Sequence, residues 1–98
     1  MGLAENRYQA ELVKKIEKLF PGCFITKNDA GATQGIPDLL ILFGFRWAML
    51  EVKTSEDAPT QPNQHYYVDF FNSMSYCSFI YPEIEQKVFY ELQRALGN

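Results

Sequence analysis

Long apolar runs are missing from this chain, and so is any excess of positive charge. No stretch approaches the roughly 20 apolar residues that a membrane-spanning helix needs, so a bilayer span is not expected. The opening residues, Met1 to Arg7, contain no apolar segment of the secretory type, which makes an intracellular, cytoplasmic location the expectation. Cysteine is scarce. Cys23 and Cys77 lack the Cys-x-x-Cys spacing of zinc and redox sites and read as reduced core thiols rather than a disulfide. His65 is the one histidine, and with no second His or Cys at ligand spacing it reads as a surface or phosphate-contact residue. Nine basic side chains against twelve acidic ones leave a net charge of −3. That balance argues against holding nucleic acid by bulk charge, although acids gathered around a bound divalent cation would reverse the sign locally. No internal repeat and no low-complexity segment appears.

What is present suits a small folded domain. Of the 98 residues, 47% are hydrophobic and 15% aromatic, enough to build a core, and the whole of 1–98 is read as one domain. The spacing predicts a helix over 4–20. Tyr8, Leu12, Val13, Ile16, Leu19 and Phe20 share a face, and Pro21-Gly22 stops the run. On that face Glu5 is the inward acid, with Gln9 at its edge, whereas Lys14, Lys15 and Lys18 line the outer side as a solvated stripe. Cys23 to Lys27 reads as a short edge strand. Asn28 to Gln34 is a polar loop, and Thr26, Lys27, Asn28, Thr33 and Gln34 flank the region that follows. A second helix is expected over 61–74, with Pro62 in its first turn, Gln64 at the head of its inner face, and Tyr66 and Phe70 on the opposite face. A fourth strand spans 77–81. A last helix over 83–96 carries Ile84, Val88, Leu92 and Leu96 at four-residue spacing.

The chain is organised around 35–53, where two apolar runs meet at Gly44-Phe45. Each reads as a strand buried on both faces, with Trp47 and Phe45 assigned to the core. Paired as an antiparallel hairpin, they bring Asp38, at the start of the first, beside Glu51 and Lys53, at the end of the second. Strand alternation puts Glu51 and Lys53 on one face with Val52 turned away. Unpaired burial of such ions costs several kcal/mol each, so the group makes sense only if its members compensate one another. A hard cation such as Mg²⁺ takes oxygen ligands, commonly one or two carboxylates plus water and phosphate. Asp38 and Glu51 supply the carboxylates, and the Val52 carbonyl is a further oxygen. Lys53 is placed to orient or deprotonate a water, or to steady charge developing on phosphorus.

Pro37-Asp38, twelve residues, then Glu51-Val52-Lys53 resembles the PD-(D/E)XK nuclease signature. The wider set is more specific: Glu5-x-x-Tyr8-Gln9, Gly35-Ile36-Pro37-Asp38-Leu39, Glu51-Val52-Lys53 and Gln64. In that order it resembles the virus-type replication-repair nuclease (VRR-NUC) family, over nearly all of Glu5 to Gln64. The resemblance implies an α/β fold with an αβββαβ(α) order and a mixed central sheet flanked by helices. It implies Asp38, Glu51 and the Val52 carbonyl as ligands of Mg²⁺ or Mn²⁺, Lys53 as the catalytic lysine, Glu5 as the first-helix acid and Gln64 as the helix glutamine. It further implies phosphodiester hydrolysis by a homodimer on branched DNA such as four-way (Holliday) junctions.

Each residue alone has a plainer reading. Asp38 after a proline can merely cap a turn, Glu51 and Lys53 can be a same-face ion pair, and Glu5 can be a dipole-matched first-turn acid. Their concurrence in one order favours the nuclease. A non-catalytic DNA-binding or assembly module of the same fold, or a nuclease subunit that needs a separate DNA-recognition partner, are the alternatives.

Overall fold

The computed structural model describes residues 2–97; Met1 and Asn98, the end residues of the expected 1–98 domain, lie outside the described residues. Helix α1 spans Leu3–Leu19, and strands β1 (Phe24–Lys27), β2 (Leu39–Phe43) and β3 (Arg46–Val52) follow. Then come α2 (Pro62–Asn72), β4 (Tyr76–Ile80), a 3₁₀ turn (Pro82–Ile84), α3 (Glu85–Leu92) and a closing π-helical turn (Gln93–Gly97). The order is the αβββαβα expected from periodicity and from Gly and Pro punctuation. The expected last helix is divided into these three pieces, and of its stripe Val88, Leu92 and Leu96 are buried. The second helix stops at Asn72, short of 74. There the Ser73 hydroxyl donates to the Phe70 carbonyl (2.6 Å), and the Asn72 side-chain oxygen accepts from the Cys77 N–H (3.1 Å). Side chains that bond the local backbone in this way compete with further helix.

The four strands form one mixed sheet in the order β1-β2-β3-β4. β1, β2 and β3 pair antiparallel, and β3 and β4 pair parallel. Gly44, at φ 62°, turns the β2–β3 hairpin. A parallel pair needs a crossover, and α2 supplies it. Packing follows from this topology. One face of the sheet presents Leu39, Ile41, Ala48, Leu50, Val52 and Ile80 to the apolar stripes of α1 and α3. The other presents Met49 and Cys77 to Val68 of α2, with Leu40, Trp47, Phe71 and Phe79 around them.

Two expectations about the hairpin are corrected. β3 is buried on both faces, but β2 alternates: Leu39 and Ile41 are buried, while Leu42 is exposed. The crossover helix packs mainly on β3 and β4, the strands it connects, so of β2 it reaches Leu40 and leaves Leu42 in solvent. Phe45, expected in the core, stands fully in solvent at the hairpin tip, while Trp47 is half-buried edge-on against Phe71. Sequence reading also missed an inward acid. Glu85 of α3 is buried, accepts from the Tyr8 hydroxyl (2.6 Å) and pairs with Lys15 (2.8 Å), which ties α1 to α3. Lys15 is therefore not just part of a solvated stripe.

Candidate active site

The loop before β2 is anchored at three points. Gly35 has φ +90°, and a Cβ there would stand 2.8 Å from Cγ of Asn63, so both backbone and space call for glycine. Asn63, in the first turn of α2, donates to the Gln34 carbonyl (3.3 Å). On the other side Asn28 donates through Nδ2 to the Pro37 carbonyl (2.8 Å) and through its N–H to the Asp38 carbonyl (2.9 Å). These contacts fix where Asp38 enters the sheet.

The hairpin register pairs Leu39 with Leu50. Carried one residue further, it sets Asp38 opposite Glu51, as expected from the sequence. Asp38 Oδ2 also accepts from the Val52 N–H (2.9 Å). Glu51 is 4% exposed. Its Oε2 accepts from Nε2 of Gln64 (2.9 Å), and its Oε1 has no hydrogen-bond partner among the described residues. Gln64 in turn accepts at Oε1 from the Gln61 N–H (2.7 Å), completing a capping box at the start of α2. One glutamine thus caps a helix and fixes one oxygen of a buried acid, leaving the other oxygen aimed at no donor.

Electrostatics follow from that crowding. Burial, then the charges of Asp38 and Glu5, push the Glu51 carboxyl up to about 8. Burial also raises Asp38, against the Val52 N–H, which favours its ionised form. Glu5 is raised by burial first and by Asp38 second. Three acids therefore feel one another across the site.

A cleft of about 370 Å³ opens beside them, with Glu5, Glu51, Val52, Lys53, Thr54 and Gln64 in its wall. The Val52 side chain is 1% exposed on the opposite face, so Val52 contributes backbone to the cleft. Asp38 adjoins it as the cross-strand partner of Glu51. The inward reading of Glu5 agrees with this, since Glu11 and Glu17 are exposed.

The structure corrects one expectation here. Lys53 was expected to compensate the two acids, yet its ammonium makes no ion pair with Asp38 or Glu51 among the described residues. The Lys53 N–H donates to the Ile80 carbonyl (2.8 Å), which extends the β3–β4 ladder beyond Val52. Its ammonium donates to the Glu56 carbonyl (3.1 Å) and lies 4.9 Å from the Tyr81 ring centre and 5.7 Å from that of Phe79. The carboxylates are relieved instead by the Val52 N–H, by Gln64 and by the field of Lys27, which lowers Asp38 and Glu5. Asn28, Gly35, Phe79 and Tyr81 thus belong to the site's surroundings. Glycine and asparagine around a Pro-Asp were legible as a turn. The aromatic wall was not, because the parallel β3–β4 pairing is non-local.

Among the described residues no group of three or more His, Cys, Asp or Glu converges into a ready metal cage. Burial pushes the Cys77 thiol up to about 12, which leaves it protonated and no ligand. What remains is a carboxylate pair with one unpartnered buried oxygen, set at an open cleft. That donor set fits a hard divalent cation that completes its shell with water and phosphate.

No family model and no curated protein matches the sequence. Two solved structures share the fold. One, a "VRR_NUC domain", superposes with a TM-score of 0.69 at 24% identity, covering 95% of this chain and 97% of that one. The other, a "VRR_NUC domain protein", has a TM-score of 0.67 at 18% identity, covering 97% of this chain and 89% of that one. By its backbone the chain has the fold of these VRR_NUC domains, the fold that the resemblance of its motifs implied.

Proposed function

We propose that this protein is a divalent-metal-dependent endonuclease that hydrolyses phosphodiester bonds in branched DNA as a homodimer. The observation that carries the reading is the pairing of half-buried Asp38 with buried Glu51, whose Oε1 is unpartnered at the cleft of a VRR_NUC fold. Asp38, Glu51 and the backbone of Val52 would hold Mg²⁺ or Mn²⁺. Bound there, the ion would supply Lewis-acid polarisation of the phosphate and a lowered pKa for an attacking water.

The chain's own residues do the rest. Gln64 and the Val52 N–H hold one oxygen each of Glu51 and Asp38, so the free oxygens keep a fixed aim. Glu5 bounds the cleft on the α1 side and orients water. Lys53 brings a positive charge to the cleft wall, where phosphate charge builds in the transition state. The dimer part of the proposal is supported by Tyr66 and Phe70, whose rings stack at 6.0 Å on the outer face of α2. They are 60% and 41% exposed, and α3 lies on the other side of the sheet. A symmetric pair of sites suits a two-fold junction.

The test is a cleavage panel of junction, flap and duplex DNA with Mg²⁺ or Mn²⁺, read beside the mass in solution. Cutting of junctions by a dimer, lost in Asp38→Ala and Lys53→Ala, is the expected result. No cutting of any substrate, or full activity in either variant, overturns it.

A further inference from the structure

β4 carries none of the acids of the candidate site, and the motif resemblance ends at Gln64. Yet the parallel register seats Glu51 beside Phe79, and one same-face step further seats Lys53 beside Tyr81. The ladder bond from the Lys53 N–H to the Ile80 carbonyl holds that step (2.8 Å). The Lys53 ammonium then lies over two rings, at 4.9 Å from Tyr81 and 5.7 Å from Phe79, with the Glu56 carbonyl as its hydrogen-bond acceptor. Phe79 is itself braced. The His65 ring packs against it at 4.9 Å, and His65 Nε2 is hydrogen-bonded to the Thr60 hydroxyl (2.7 Å) just before α2.

A lysine on a flexible four-carbon stem, on the same face as Glu51 and near Asp38, could fold onto either carboxylate, and onto Glu51 the more strongly as that acid ionises. Here it does not. We propose that Tyr81, with Phe79 beside it, is a positioning residue for Lys53: the ring faces hold the ammonium at the cleft wall by cation–π attraction, out of ion-pair reach of Glu51. Two consequences follow from the geometry. Glu51 Oε1 stays free for a cation, and the lysine charge stays where a substrate phosphate enters. The lysine's catalytic part rests on the nuclease reading above, but its placement by the rings does not.

The experiment separates the two. Lysines are reductively methylated with ¹³C, which keeps their charge, and the protein is examined by NMR in metal-free buffer. The Lys53 methyl signal, identified by its loss in Lys53→Arg, is expected upfield of the other lysines through the ring currents. It should stay there in Tyr81→Phe and move toward the common position in Tyr81→Leu, which leaves only the more distant Phe79 ring. In the cleavage assay Tyr81→Leu is expected to lower kcat about tenfold, with KM changed less than about twofold, and Tyr81→Phe to restore kcat. If Tyr81→Leu folds poorly, Tyr81→Met, whose unbranched side chain is longer and more adaptable, carries the same comparison. An unshifted Lys53 signal in the wild type overturns the proposal. So does a Tyr81→Phe variant as impaired as Tyr81→Leu, because the hydroxyl rather than the ring would then matter. If the wild type cuts no DNA while the NMR pattern holds, the nuclease reading fails and the positioning stands.

Discussion

Glu51 is an acid held out of water with a donor on one oxygen and none on the other. Burial and the neighbouring acids push its carboxyl from 4.5 up to about 8, so between those values the folded protein binds a proton that the unfolded chain does not. Stability therefore falls as pH rises through that window. Melting in chelator is expected to show the midpoint dropping from about pH 5 to about pH 8, with a shallower slope in Glu51→Gln. Mg²⁺ or Mn²⁺ should oppose the drop most at the alkaline end, where it no longer competes with that proton. A flat wild-type profile in chelator would contradict this account of the site. Asp38→Asn tests the partner. It keeps the shape but removes the neighbouring charge, so cleavage should vanish and the alkaline loss of stability should diminish. Persistence of full cleavage would show that Asp38 is not needed as a carboxylate.

At the scale of elements, the site depends on the start of α2 as much as on the hairpin. Gln64 both completes the capping box and holds Glu51. Gln64→Ala is expected to cost about 1 kcal/mol through the cap and to speed hydrogen exchange in the first turn of α2. Unchanged exchange there would separate the cap from the site. Gly35 joins the same turn to the loop before Asp38. Gly35→Ala must place a Cβ 2.8 Å from Asn63 at a positive φ, and a loss of about 1–3 kcal/mol in chemical denaturation is expected. Adding Asn63→Ala should recover the steric part and leave the backbone part. The strands and the hairpin partnership were legible beforehand because short apolar runs bounded by glycine and proline are local signals. That Lys53 would face two rings rather than two acids was not, because Phe79 and Tyr81 arrive through a parallel pairing across a helix.

For the whole molecule, the two sides of the sheet are unequal. Most buried residues lie between the sheet, α1 and α3, and the α2 side holds a small cluster around Met49, Val68 and Cys77. Leu50→Ala, fully buried on the larger side, is expected to cost about 2–5 kcal/mol. Val68→Ala on the thinner side should cost clearly less, since its surroundings open to solvent and can close in. Equal losses in urea denaturation would mean the two cores are energetically alike. The same thin side carries Tyr66, Phe70 and the exposed Leu42 and Phe24. Phe70→Glu is expected to halve the mass in solution without lowering the melting point of the monomer. A wild type that is monomeric at every concentration would sink the dimer.

Periodicity and turn residues determined the elements, their order, the antiparallel hairpin and the meeting of Asp38 with Glu51, because each depends on neighbours in sequence or on one tight turn. Tertiary structure alone decided what those elements touch: the half-covered β2, the exposed Phe45, the buried Glu85 and the resting place of the Lys53 ammonium. Each of these turns on which distant surface lies opposite, and a local pattern of apolar and polar residues states that a face wants cover without stating what will provide it.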